Sequence, residues 1–87
     1  MKITLNGANM TTRAAAHAEI ARALDFPDWY GANLDALWDM ISHMDAEITL
    51  VNAAQMCNVL GDYAESLLDT FREAASLGRG FHFHEED

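Results

Sequence analysis

Eighty-seven residues, half of them apolar, with a single proline and a single cysteine, describe one globular domain over residues 1–87, with no room for a second core and no internal disulfide. The formal charge is −9, from 14 acidic and five basic side chains. That balance weighs against binding to nucleic-acid backbones or anionic lipid, both of which need clustered Lys and Arg, and no apolar run is long enough to span a bilayer.

In chain order, Ile3-Thr4-Leu5 reads as a short strand, with Asn6-Gly7 as its turn. Thr11 or Thr12 suits the N-cap of a helix running to about Leu24, whose inner face carries His17, Ile20, Ala21 and Leu24. Pro27 stops it, because the residue before proline is pushed out of the α region. Gly31 then lets the chain turn. Asn33 is a good N-cap for a second helix of roughly three turns. Leu34, Leu37, Trp38 and Ile41 form its apolar stripe, while Asp35, Ala36 and Asp39 fall on the other side.

Ile48-Thr49-Leu50-Val51, rich in β-branched residues, reads as a second strand. A short helix is expected around Ala54 to Val59, broken by Gly61. Asp62 and Glu65 have the spacing of a capping box at the start of the next helix, which keeps an apolar period through Ala64, Leu67, Leu68, Phe71, Ala74 and Ala75 and ends at Gly78. Phe81-His82-Phe83-His84 alternates as a strand does. Strands separated by helices predict an α/β domain with a small parallel sheet.

The acidity is not evenly spread. Residues 23–71 hold Asp25, Asp28, Asp35, Asp39, Asp45, Glu47, Asp62, Glu65 and Asp69 without one Lys or Arg. Such a surface favours a basic protein partner, although acidity also serves solubility alone. Asp35 and Asp39 stand one helical turn apart, where like charges cost roughly 0.2–0.5 kcal/mol. The helix dipole offsets part of this for Asp35, in the first turn, and little of it for Asp39. Trp29 and Tyr30 precede them in a loop, and aromatic residues beside charge are common interface material. Tyr30 suits either role, its ring buried and its hydroxyl left to water. Trp38, on the apolar stripe, reads as structural.

Other candidates are weaker. His82 and His84 share one strand face ahead of an acidic tail, but two histidines without further placed ligands read as surface residues rather than a metal centre. His17 reads as a satisfied core histidine, His43 as a partner for a helix C-terminus, and Cys57 as a small buried hydrophobe. The chain contains no phosphate-binding glycine loop and no nucleophile motif, which argues against an enzyme. The start Met1-Lys2-Ile3 has no leader pattern, so the expected location is a reducing cytoplasm.

Pro27, Tyr30-Gly31, Asn33 and Leu34-Asp35-Ala36-Leu37-Trp38-Asp39 resemble the signature of barstar-type proteins, bacterial inhibitors of secreted ribonucleases such as barnase. Asn6-Gly7, the helix up to Pro27 and Phe71-Arg72-Glu73-Ala74 are similar too, in the same order. The resemblance implies a three-stranded parallel sheet packed by three to four helices, and a monomer that needs no metal or cofactor. It implies a 1:1 complex with a basic ribonuclease or ribonuclease toxin, in which the acidic second helix and the loop before it plug the active site. Asp39 would be the main anchor, in the place of the substrate's phosphate, with Asp35 beside it against the catalytic groups. Tyr30, Gly31, Asn33 and Leu34 would line the contact, Trp38 belongs to the same signature, and Glu73 would add a second acidic contact. Trp29 stands where barstar itself has tyrosine, which keeps an aromatic ring and loses a hydroxyl. An acidic adaptor for a basic non-nuclease protein, or for a non-barnase toxin domain, is the competing expectation.

Overall fold

The structure, a computed structural model, describes all residues 1–87. Its elements in chain order are β1 (Lys2–Asn6), a single 3-10 turn (Gly7–Asn9), α1 (Arg13–Leu24), α2 (Leu34–Ile41), β2 (Ala46–Val51), α3 (Ala53–Leu60), α4 (Asp62–Ser76) and β3 (Phe81–Glu85). The strands form one parallel sheet in the order β1-β2-β3, with Ile3 beside Ile48 and Ile48 beside Phe83. The α/β class, the three parallel strands and the four helices agree with the sequence reading.

Alternation along the strands explains where the core lies. Leu5, Ala46, Ile48, Leu50 and Phe81 are buried on one face, with Ile3 and Phe83 packed at its margin. The rings of Phe71 and Phe83 stack 4.8 Å apart and fasten α4 to β3. The opposite face shows Lys2, Thr4, His82 and His84 to solvent. Parallel sheets are usually covered on both faces, so this two-layered arrangement is a departure. His82 and His84 are surface residues, as expected, and His84 Nε2 lies 3.6 Å from Glu47 Oε1.

The turn after β1 depends on a close approach. A Cβ on Gly7 would stand 2.4 Å from the Asn52 carbonyl oxygen at the end of β2, which only glycine avoids. Asn6 ties the same corner: its Oδ1 accepts from Ala8 N (2.9 Å) and Asn52 Nδ2 (2.8 Å), while its own N–H donates to Glu19 Oε2 (3.1 Å). Burial pushes the Glu19 carboxyl up, but the bonds from Arg22 and the Asn6 backbone outweigh it and hold it below its ordinary value.

Two local expectations need correction. The second helix has eight residues, little more than two turns, because its apolar face is complete at Ile41 and the chain must then reach β2. Asp62 and Glu65 form no capping box: Gly61, at φ 58°, is the N-cap, and Asp62 is already helical, so no side-chain cap bond forms. The turn expected at Gly31 has Ala32 as its left-handed residue, at φ 52°.

Candidate functional site

The site is built from the loop after α1 and the helix that follows. Thr12 caps α1, with Oγ1 accepting from Ala15 N at 3.0 Å. Asp25, left-handed at φ 57°, ends the helix two residues before Pro27. The chain then folds into a turn in which Tyr30 N donates to Pro27 O (3.0 Å) and the rings of Phe26 and Tyr30 meet at 4.8 Å. This turn throws Trp29 outward. At 78% exposure it is the most exposed large hydrophobic side chain of the protein, ahead of Met1 at 70%.

Tyr30 behaves differently from Trp29. Its ring is half-buried and its hydroxyl is not left to water: it lies 2.8 Å from His17 Nδ1, and His17 Nε2 lies 2.6 Å from the Tyr63 hydroxyl. Burial pushes the Tyr30 hydroxyl well above its ordinary pKa and pulls the His17 ring below 6.5, so the neutral forms of both are favoured. His17 is a core histidine, as its place on the apolar face of α1 predicts. Its two tyrosine partners lie 13 and 46 residues away, at separations that no helical or strand period pairs.

Asn33 organises the start of α2. Its Oδ1 accepts from Ala36 N at 2.7 Å, and its Nδ2 donates to Gly31 O at 3.2 Å. Gly31 matters for space rather than for φ: a Cβ there would crowd Asn33 Nδ2 at 3.2 Å and Ala36 Cβ at 3.4 Å. Ala32 between them holds a left-handed backbone, a conformation that costs a non-glycine residue on the order of 1 kcal/mol.

From this start α2 turns Leu37 and Ile41 fully inward, with Leu34 and Trp38 packed at the margin of the core. Trp38 is therefore part of the packing that holds the helix. Asp35 and Asp39 are exposed on the other side, and neither forms an ion pair within the chain. Four of the five basic side chains have other partners: Arg22 pairs with Glu19 at 2.7 Å, Arg72 grips Glu85 with two 2.7 Å bonds, Lys2 lies 3.9 Å from Glu47, and Arg13 lies 4.4 Å from the centre of the Tyr63 ring. Glu73 is exposed on α4, the helix against which α2 packs. Beside the loop, α1 and residues 25–32 border an open hollow of about 520 Å³, and Asp25 and Asp28 on its wall extend the acidic surface. No three His, Cys, Asp or Glu side chains converge as metal ligands.

The helix thus carries two solvent-facing carboxylates one turn apart, and the loop before it carries an exposed indole. Such a surface suits a cationic cleft on another protein. The sequence pattern of the family described as Barstar (barnase inhibitor) matches residues 1–85. The chain is also similar to the protein named "Putative ribonuclease inhibitor YrdF" of Bacillus subtilis (strain 168), at 40% identity over 76 residues that cover 84% of each chain.

Proposed function

Since the chain belongs to the barstar family, we propose that it is an intracellular inhibitor, not an enzyme, which closes the active site of a basic barnase-like ribonuclease in a 1:1 complex. The observation that carries the reading is the pair Asp35 and Asp39, exposed together with no cation of their own.

A ribonuclease site must be cationic, because it binds phosphate and stabilises the negative charge that develops during cleavage. Two carboxylates fixed on one helical turn offer that site the charge of an RNA backbone without a bond to cleave. Asp39 is the anchor and Asp35 meets the catalytic groups beside it. Trp29, Tyr30, Gly31, Asn33 and Leu34 line the contact, Trp38 supports the helix from beneath, and Glu73 adds a second acidic point from α4. The repulsion between Asp35 and Asp39 in the free protein is relieved when the partner's cations arrive. The surrounding acids speed encounter, so the association rate falls as salt is added.

The test is a titration of a barnase-type ribonuclease with the protein while RNA cleavage is followed. Cleavage falls to zero at one equivalent if the proposal holds, and an Asp35→Ala/Asp39→Ala protein fails to inhibit. An adaptor for a non-nuclease partner leaves cleavage untouched at any ratio.

A further inference from the structure

His17 is 2% exposed and joins three elements: it stands on α1, its Nδ1 meets Tyr30 of the loop, and its Nε2 meets Tyr63 in the first turn of α4. A neutral imidazole has one N–H and one bare nitrogen, so the two tyrosines cannot play the same role towards it. If Nε2 carries the proton, it donates to the Tyr63 oxygen and Tyr30 must donate to Nδ1. If Nδ1 carries it, the directions reverse. The hydroxyl of Tyr63 therefore constrains the hydroxyl of Tyr30, although the two residues are 33 positions apart. The Arg13 guanidinium lies over the Tyr63 ring, 4.4 Å from its centre.

We propose that Tyr63, acting through His17, is a positioning residue for the binding loop: the Tyr63–His17–Tyr30 relay fixes residues 28–33 in the shape that meets the ribonuclease. The claim that this shape matters for binding rests on the function proposed above; the relay itself does not. The loop has little else to hold it. Between the end of α1 and the Asn33 cap its ties are the Phe26–Tyr30 ring contact, the backbone bonds from Phe26 N to Ala21 O and from Tyr30 N to Pro27 O, the Asn33 amide on Gly31 O and this hydroxyl, and it contains the left-handed Ala32. A loop fixed before binding has less conformational freedom to lose in the complex.

Tyr63→Phe isolates the relay, because it keeps the ring under Arg13 and removes only the oxygen. With no hydroxyl opposite Nε2, the His17 proton is held on Nδ1, where it donates to Tyr30, whichever nitrogen carries it in the wild type; histidine ring nitrogen shifts report this. Backbone order parameters of residues 28–33 in the free protein are expected to fall while those of the helices stay unchanged. Dissociation from the ribonuclease is expected to quicken about tenfold, the worth of one ordinary hydrogen bond. Unchanged loop order overturns the proposal, and so does an unchanged dissociation rate. If the wild-type protein binds no ribonuclease, the proposed function fails, and the loop-order measurement alone decides the relay.

Discussion

Replacing Asp39 with alanine deletes an exposed carboxylate that shares one side of α2 with Asp35 and has no ion pair in its own chain. In the free protein three small effects point the same way. The like-charge repulsion of roughly 0.2–0.5 kcal/mol disappears. Alanine is the better helix former by about 0.5 kcal/mol. An anion is also removed from the last turns of the helix, where the dipole disfavours it by about 0.3 kcal/mol. Because these overlap, the net gain is about 0.5–1 kcal/mol, which raises Tm by roughly 3–6 °C in a domain of this size. Binding moves in the opposite direction. Truncating one member of a desolvated charge pair costs about 2–5 kcal/mol, or roughly 30- to 5,000-fold in Kd, a general range to which the barnase–barstar pair itself contributes. Thermal melts and stopped-flow binding on the same sample give both numbers. A variant that melts several degrees lower, or that binds as tightly as the wild type, refutes the reasoning.

Trp29→Ala removes a side chain that is 78% exposed, so stability stays within about 0.5 kcal/mol while dissociation quickens by the equivalent of about 2 kcal/mol in surface-plasmon measurements. Gly7→Ala forces the β1 and β2 ends apart at Asn52 and costs about 1–3 kcal/mol in urea unfolding, with binding by the folded fraction unchanged. Acid lowers stability in two stages. The His17 ring sits below 6.5 in the folded state, so the unfolded chain takes up more protons as pH falls through about 6.5, and the stability present above that pH is lost there. The Glu19 carboxyl, held below 4.5, adds a second loss as pH falls through that region. Urea midpoints measured from pH 8 to pH 3 show both steps, and His17→Gln removes the first.

Much of this arrangement was legible in the residues because local rules and tertiary demands coincide. The Asn33 cap, the stripe Leu34-Leu37-Trp38-Ile41 and the outward face of Asp35 follow from helical period alone, and α2 adopts them. The alternating Phe81-His82-Phe83-His84 names its own buried face. Failures arise where a close contact decides the backbone. Gly31 marked the turn, yet what its missing Cβ avoids is crowding against the Asn33 amide, and the strained left-handed conformation falls on Ala32, which carries no such mark. The spacing of Asp62 and Glu65 satisfied the capping rule, but Gly61 had already turned the chain from α3 into α4. The Tyr30 hydroxyl was expected in water because nothing in its neighbourhood along the chain offers a buried partner. That partner is His17, and the second anchor, Tyr63, has no marker short of the fold itself.

The parallel register has a consequence for how this surface comes into being. Lys2 waits for Glu47, 45 residues further along, and Glu47 in turn waits for His82, 35 residues later. Contacts this remote in sequence give a high contact order, and topologies of that kind fold more slowly than helical bundles of similar size. During synthesis α2 leaves the ribosome well before α4, the helix it packs against, and before β3, which completes the sheet. Acquisition of the acidic face is thus a late event in the life of the chain, timed by the arrival of its last strand rather than by the appearance of the carboxylates themselves.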